Sequence, residues 1–274
     1  MTKEQILERC SDCTDAANLS RIINWPSDFG EVISLKYLPT PRYSKPILIL
    51  SIDEGVKEIP KEFLSNSGCF CKVIIPASVE KIGSMAFYKV QTISNIEFKD
   101  PYALKEIGDG AFAETAIRFF EGPNVTKIGA QSFMNCSVLE SISFQSLEKV
   151  PLLAFAGDAS LCSIDIPKVS SISARAFYEC GFSTFIASSN LTDIGPFAFA
   201  NGNLETVDLS QSSVEVIEMG AFMRNVIKDL KLPDSWEIIK SQAFQDNELE
   251  SLSGIKLTFE GIIVGDAFDK GVIT

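Results

Sequence analysis

The stretch Ile82–Phe87 reads IGSMAF, and the same six-residue phrase returns down the chain. It recurs as IGDGAF (Ile107–Phe112), IGAQSF (Ile128–Phe133), VPLLAF (Val150–Phe155), ISARAF (Ile172–Phe177) and IGPFAF (Ile194–Phe199). IEMGAF (Ile217–Phe222), IKSQAF (Ile239–Phe244) and IVGDAF (Ile263–Phe268) complete the series. A degenerate first copy, EIPKEF, closes at Phe63. Ten phenylalanines therefore mark a ladder: Phe63, Phe87, Phe112, Phe133, Phe155, Phe177, Phe199, Phe222, Phe244 and Phe268, spaced 21 to 25 residues apart. A self-similar period in the low twenties predicts a repeat solenoid, one stacked coil per copy.

Each slot of the phrase has a physical reading. The Phe would fill the interior as a column of rings in contact from coil to coil. The Ala before it would let coils approach, with near-isosteric Ser132 in one copy and Glu62 in the first. Gly83, Gly108, Gly129 and Gly195 follow the Ile, where a tight backbone turn is expected. Between phrases lie short alternating segments such as LESISF (Leu139–Phe144), LCSIDI (Leu161–Ile166), LETVDL (Leu204–Leu209) and IKDLKL (Ile227–Leu232). Period-two alternation makes them half-buried strands, stacked in parallel.

The chain has 274 residues, 24 Lys and Arg against 36 Asp and Glu, and no His. A net charge of −12 argues against a nucleic-acid partner, whose backbone calls for clustered basic residues. Lack of histidine excludes Ser-His-Asp and Cys-His catalysis and histidine-ligated metals. No run reaches the roughly 18–20 apolar residues that span a bilayer, so no membrane insertion is expected. The start of the chain, MTKEQILERCSDC, has no apolar core of a secretory signal, which points to the cytoplasm.

Residues 1–45 read as an N-terminal helical cap and lead-in, and residues 46–274 as a solenoid of about ten coils. Ile6, Cys10, Cys13 and Ala17 share one face of a helix over 2–18. Ile22–Asp28, with Trp25-Pro26, reads as a packed loop, and EVISLKYL (Glu31–Leu38) and PILILSID (Pro46–Asp53) as strands. The chain stops six residues after Phe268, leaving a last coil able to stack end to end on another copy.

The Ile-Gly-x-x-Ala-Phe phrase, followed by strands such as SIDIP (Ser163–Pro167) or KVIIP (Lys72–Pro76), closely resembles the BspA-like class of leucine-rich repeats. Cys136 and Cys180, three residues after Phe133 and Phe177, match a further habit of that class. The resemblance implies an α/β-type leucine-rich repeat: a right-handed superhelix with a parallel sheet on one face and loops or short helical turns on the other. It also implies a non-catalytic binding scaffold, and a cell-surface, adhesive setting that contrasts with the missing signal sequence.

Candidate chemistry is sparse. Cys10-x-x-Cys13 and Cys69-x-Cys71 lack paired zinc-knuckle spacing, and Cys136, Cys162 and Cys180 read as core thiols, so neither metal nor cofactor is expected. Asn18, Asn124, Asn135 and Asn190 head N-x-S/T sequons, which matter only outside the cell. The informative residues are the outward strand slots. One column runs Ile74, Glu97, Phe120, Ser143, Asp165, Ile186, Asp208, Lys231; its neighbour includes Lys72, Arg118 and Thr184. These slots change from coil to coil while interior slots stay fixed, as a scaffold presenting a binding surface requires. Ile74, Glu97, Arg118, Phe120, Asp165, Ile186, Asp208 and Lys231 are thus the candidate binding residues, for a protein ligand of host or matrix origin or a glycan. The alternatives are a carbohydrate-active enzyme on a parallel β-helix and an intracellular adaptor or structural element.

Overall fold

A computed structural model describes residues 22–25, 48–68, 70–250, 261–270 and 272. The expected helix over 2–18 and the strand over 31–38 lie outside these residues. Longer strands alternate with two-residue strands carried by the phrase. In chain order they begin β1 (Ile22–Trp25), β2 (Leu48–Ile52), β3 (Glu58–Ile59), β4 (Phe70–Ile75), β5 (Lys81–Ile82), β6 (Asn95–Phe98) and β7 (Glu106–Ile107). Then come β8 (Phe119–Glu121), β9 (Lys127–Ile128), β10 (Ser141–Ser143), β11 (Lys149–Val150), β12 (Ser163–Asp165), β13 (Ser171–Ile172) and β14 (Thr184–Ile186). The last are β15 (Asp193–Ile194), β16 (Thr206–Asp208), β17 (Val216–Ile217), β18 (Asp229–Lys231), β19 (Ile238–Ile239) and β20 (Ile262–Ile263). Every pairing is parallel. The chain is a parallel β-solenoid with two ladders, one of longer strands and one of phrase strands.

Ile22–Trp25, expected as a packed loop, is a strand in register with Ile49–Ile52. Its apolar sequence can satisfy its peptide groups against β2, which a loop could not.

Opposite the strand face the phrase forms successive tight turns. The Phe87 amide donates to the Ala111 carbonyl (2.8 Å), and each later ring residue repeats this bond to the next coil, through Phe244 to Ala267. Between these axial bonds run local ones, Ala86 to Gly83, Tyr88 to Met85 and Val90 to Phe87. In the coils from Phe87 to Phe244, residues two before and two after the ring take positive φ, among them Met85, Lys89, Arg175 and Glu179. Positive φ at the third residue of a turn is the signature of type II. Such turns supply the loop face: among the described residues there is no helix.

A left-handed backbone costs a non-glycine residue about 1–2 kcal/mol. Glu179 (φ 59°) is exposed, and the bond from its amide to Ala200 survives any substitution but proline. Glu179→Gly is expected to stabilise by about 0.5–1 kcal/mol, after allowing for the freer unfolded chain. Urea unfolding should show a higher midpoint at constant slope; a lower midpoint would contradict the turn assignment.

The rings form the expected column. From Phe87 to Phe268 nine of them stack with centroids 5.1–5.4 Å apart. The first copy differs in frame. Glu62 has positive φ, and the Leu64 amide donates to Ala86, so Leu64 holds the ring slot and Phe63 the alanine slot. The phrase there is Ile59–Leu64, five residues from Ile to ring position, as in Ile82–Phe87. The glycines also have another cause than a tight turn. A Cβ on Gly83 would lie 2.6 Å from the Lys61 nitrogen, and one on Gly129 2.3 Å from that of Asp109. Close coil-to-coil approach excludes the side chain.

Three residues after six of the rings, at Thr115, Cys136, Asp158, Cys180, Asn225 and Asn247, lies a slot whose side chain bridges coils. Asn225 donates Nδ2 to the Phe199 carbonyl (2.8 Å), Asn247 to that of Phe222 (3.0 Å), and the Cys180 thiol to that of Phe155 (3.1 Å). Asp158 holds the slot in one coil. It is fully buried; Oδ1 accepts from the Cys136 amide (2.7 Å), and Oδ2 has no partner. Burial pushes its carboxyl well above the usual range, and burial also raises the Cys136 and Cys180 thiols.

Candidate functional site

The ladder of longer strands is broken twice. β1-β2-β4-β6, β8-β10-β12 and β14-β16-β18 are three separate sheets. The breaks lie between β6 and β8 and between β12 and β14, and each precedes a strand with an aromatic inner residue. The inner slot holds Val73, Ile96, Ile142, Ile164, Val207 and Leu230 elsewhere, but Phe120 in β8 and Phe185 in β14. Phe185 packs on Phe199 (4.5 Å between centroids), while Phe182 in the preceding anchor slot stands edge-on to Phe177 (5.7 Å) and Phe199 (6.2 Å). On the ring side the same coils stay 5.3 Å apart at Phe155 and Phe177. They splay at the strand face alone, as a wedge would make them.

The break between β12 and β14 opens a groove of about 400 Å³. Buried Phe185, Leu191 and Ile172 form its floor with half-buried Ile164 and Ile166. Asp165 and Ile186 stand on its two sides, Ile186 being 69% exposed. Sequence reasoning named both but gave no sign that they flank an opening.

The remaining candidate residues fall along the face. Glu97 pairs with Lys72, and Arg118 with Glu140. Gln145 and Ser143 donate to Asp165. Lys231 Nζ lies 2.8 Å from Asp208, and this bond, with one from Ser210, holds the Asp208 carboxyl down to about 2. Ile74 is half-buried. Exposed pairs of this kind add little stability; they leave a largely polar strip in which Ile186, at 69%, is the most exposed apolar strand residue, with Phe119 of β8 next at 60%.

Phe120 corrects the expected column. It is 3% exposed, and the outward residues of β8 are Phe119, 60% exposed, and Glu121, in register with Ser141 and Ser143. Arg118 precedes the strand and lies against the Phe119 ring (5.3 Å). The buried anchor Ile117 carries the missed signal, since counting from it as from Leu139 turns Phe120 inward. Cys162 is likewise exposed and not a core thiol, because alternation turns it away from buried Leu161. Cys136 and Cys180 are buried as expected, Cys71 is half-buried, and Asn124, Asn135 and Asn190 are exposed. Cys10, Cys13, Cys69 and Asn18 lie outside the described residues. Among those described, no cluster of acidic, Cys or His side chains could hold a metal, and no helix is long and apolar enough to cross a membrane.

Stacked coils with two parallel ladders around an aromatic column define the class, a parallel β-solenoid of short repeats. Residues 57–169 and 148–268 match the sequence profile described as BspA type leucine rich repeat region, in six copies. The chain belongs to that family. Among solved structures it is similar to a leucine rich cell surface protein from Faecalibacterium prausnitzii, with 18% identity, 76% of this chain and 73% of that one covered, and a TM-score of 0.38. Leucine-rich repeat proteins from Eubacterium ventriosum (16% identity, 82% and 83% covered, TM-score 0.40) and Bacteroides ovatus (15%, 90% and 83%, 0.41) are also similar. No curated protein matches the chain.

Proposed function

We propose that the chain is a non-catalytic scaffold that binds a protein ligand on the strand face, centred on β12, β14 and β16. The carrying observation is Ile186, 69% exposed at the edge of an apolar groove within a polar strip. An apolar anchor ringed by polar groups is the usual anatomy of an interface hot spot. For a glycosidase, two carboxylates must flank the substrate; among the described residues lining the groove Asp165 is the single carboxylate, already bonded by Gln145 and Ser143.

The test pairs affinity capture with purified binding. Proteins retained by the wild-type chain are re-measured by calorimetry against Ile186→Glu and against Arg224→Glu on the turn face. The expected result is at least a tenfold loss, about 1.4 kcal/mol, for Ile186→Glu alone. Equal losses in both variants would end the reading. The family resemblance favours display at the cell surface, where the face would serve adhesion; an impermeant biotin label on intact cells separates this from an adaptor inside.

A further inference from the structure

We infer that the gap between β12 and β14 receives one extended peptide segment, which completes the broken sheet and lowers an apolar side chain onto the groove floor. The inference deepens the reading above by naming the kind of segment through which a protein ligand engages the face.

The backbone carries the argument. In a parallel sheet successive residues turn their peptide groups to opposite neighbours. Ser163 donates to Glu140, and the Asp165 carbonyl accepts from Phe144, so both face β10. Ile164 and Ile166 then face β14. On the other wall the Ser183 carbonyl accepts from Thr206 and the Ala187 amide donates to Asp208, both toward β16. Thr184 and Ile186 therefore face β12. Among the described residues no backbone bond crosses this gap: the Phe144–Asp165 and Ala187–Asp208 bonds have no counterpart from Ile166 to Ile186.

Two facing rows of unpaired groups, the N–H and C=O of Ile164, Thr184 and Ile186 and the N–H of Ile166, whose carbonyl accepts from Val169 (3.2 Å), match the backbone of an extended peptide. A helix has consumed its own peptide bonds, and a glycan lacks the alternating spacing of about 3.3 Å per residue. An extended segment points alternate side chains to opposite faces. One would enter toward Phe185 and Leu191, while its neighbours meet Thr184, Ser188 and the Asp165 carboxylate outside. The fitting partner has one aromatic or long aliphatic residue flanked by neutral or basic ones.

Hydrogen exchange on the free full chain tests the edges first. The amides of Ile164, Ile166, Thr184 and Ile186 should exchange at least about 100-fold faster than those of Ile142 and Val207, which lie in paired ladders. Equal protection would mean a closed ladder and overturn this inference, leaving strand-face binding untouched. The probe for the second arm is a fluorescent alternating threonine–valine heptapeptide with a central phenylalanine. It should bind and slow exchange at those four amides. Methylation of alternate peptide nitrogens should weaken it at least tenfold, because donors are removed while side chains stay. Thr184→Pro should fold normally, its amide being unpaired, and lose the peptide at least tenfold. Thr206→Pro, whose amide donates to Ser183 (3.1 Å), should be destabilised. The inference fails if the peptide does not bind at millimolar concentration, or if the methylated peptide binds as tightly. The methylated peptide decides the matter alone should Thr184→Pro unfold.

Discussion

Phe177→Ala should destabilise the protein by about 3–5 kcal/mol, the usual cost of emptying a buried aromatic site. The ring sits between Phe155 and Phe199 at 5.3 and 5.4 Å, with Phe182 edge-on at 5.7 Å, and is essentially inaccessible to water. Neither coil can collapse into the void, because axial bonds from Phe155 to Ala176 and from Phe177 to Ala198 fix the spacing. Phe268 offers the internal comparison. Its ring stacks on Phe244 alone among the described rings (5.1 Å), so Phe268→Ala should cost distinctly less. In a repeat array each coil is stabilised mainly through its nearest neighbours. Urea titration of both variants checks this; equal losses would mean the column does not work by stacking.

Asp158→Asn should stabilise the protein at neutral pH and flatten its pH dependence. In the native chain Oδ2 is buried without a partner, and burial raises the folded carboxyl above its unfolded value of about 3.9. The sign follows directly. Below about pH 4 both states hold the proton, and the penalty is absent. As the pH rises the unfolded chain releases a proton that the folded chain retains, so stability falls until the folded group ionises. Asparagine keeps an Oδ1 acceptor for the Cys136 amide and carries no charge at any pH. The gain should vanish near pH 4 and grow by about 1.4 kcal/mol for each pH unit above it over which the folded carboxyl keeps its proton. Unfolding midpoints between pH 4 and 8 give the comparison. A variant less stable than wild type at pH 7 would show that the carboxylate serves the fold in its charged form.

The phrase from Ile82 to Phe87 was enough to read the coils, the ring column and the parallel strands, because those slots repeat one chemistry. Frame was harder to read where two apolar residues adjoin. Phe63-Leu64 and Phe119-Phe120 each offer two ways to place an inward side chain, and only the distance from a fixed slot decides. From Ile59 to Leu64 that distance is the five residues of every other copy; from Ile117 to Phe120 it is the three of Leu139 to Ile142.

The two openings also leave a trace in the sequence, in the step from ring to strand anchor. It is six residues at Phe87–Ile93 and Phe155–Leu161, then five at Phe112–Ile117 and Phe177–Phe182. Both openings fall where six gives way to five, and both coincide with an aromatic inner residue. The reverse change, from five to six, leaves β8 and β10 paired. A single step-length rule is therefore insufficient, and side-chain volume has to enter.

The ladder of phrase strands is interrupted as well, between β9 and β11. Pro151, immediately after β11, lacks the amide that Gly108 and Ser173 donate to Ile82 and Val150 in other coils. This interruption lies at a different level from the two on the strand face: β8, β10 and β12 are paired across it, as β5, β7 and β9 are across the first opening and β11, β13 and β15 across the second. The vertical joints of this column are staggered like those in brickwork. A crack starting at any one of them meets an unbroken course on the opposite wall, so the stack can gape toward a ligand at one level without coming apart there.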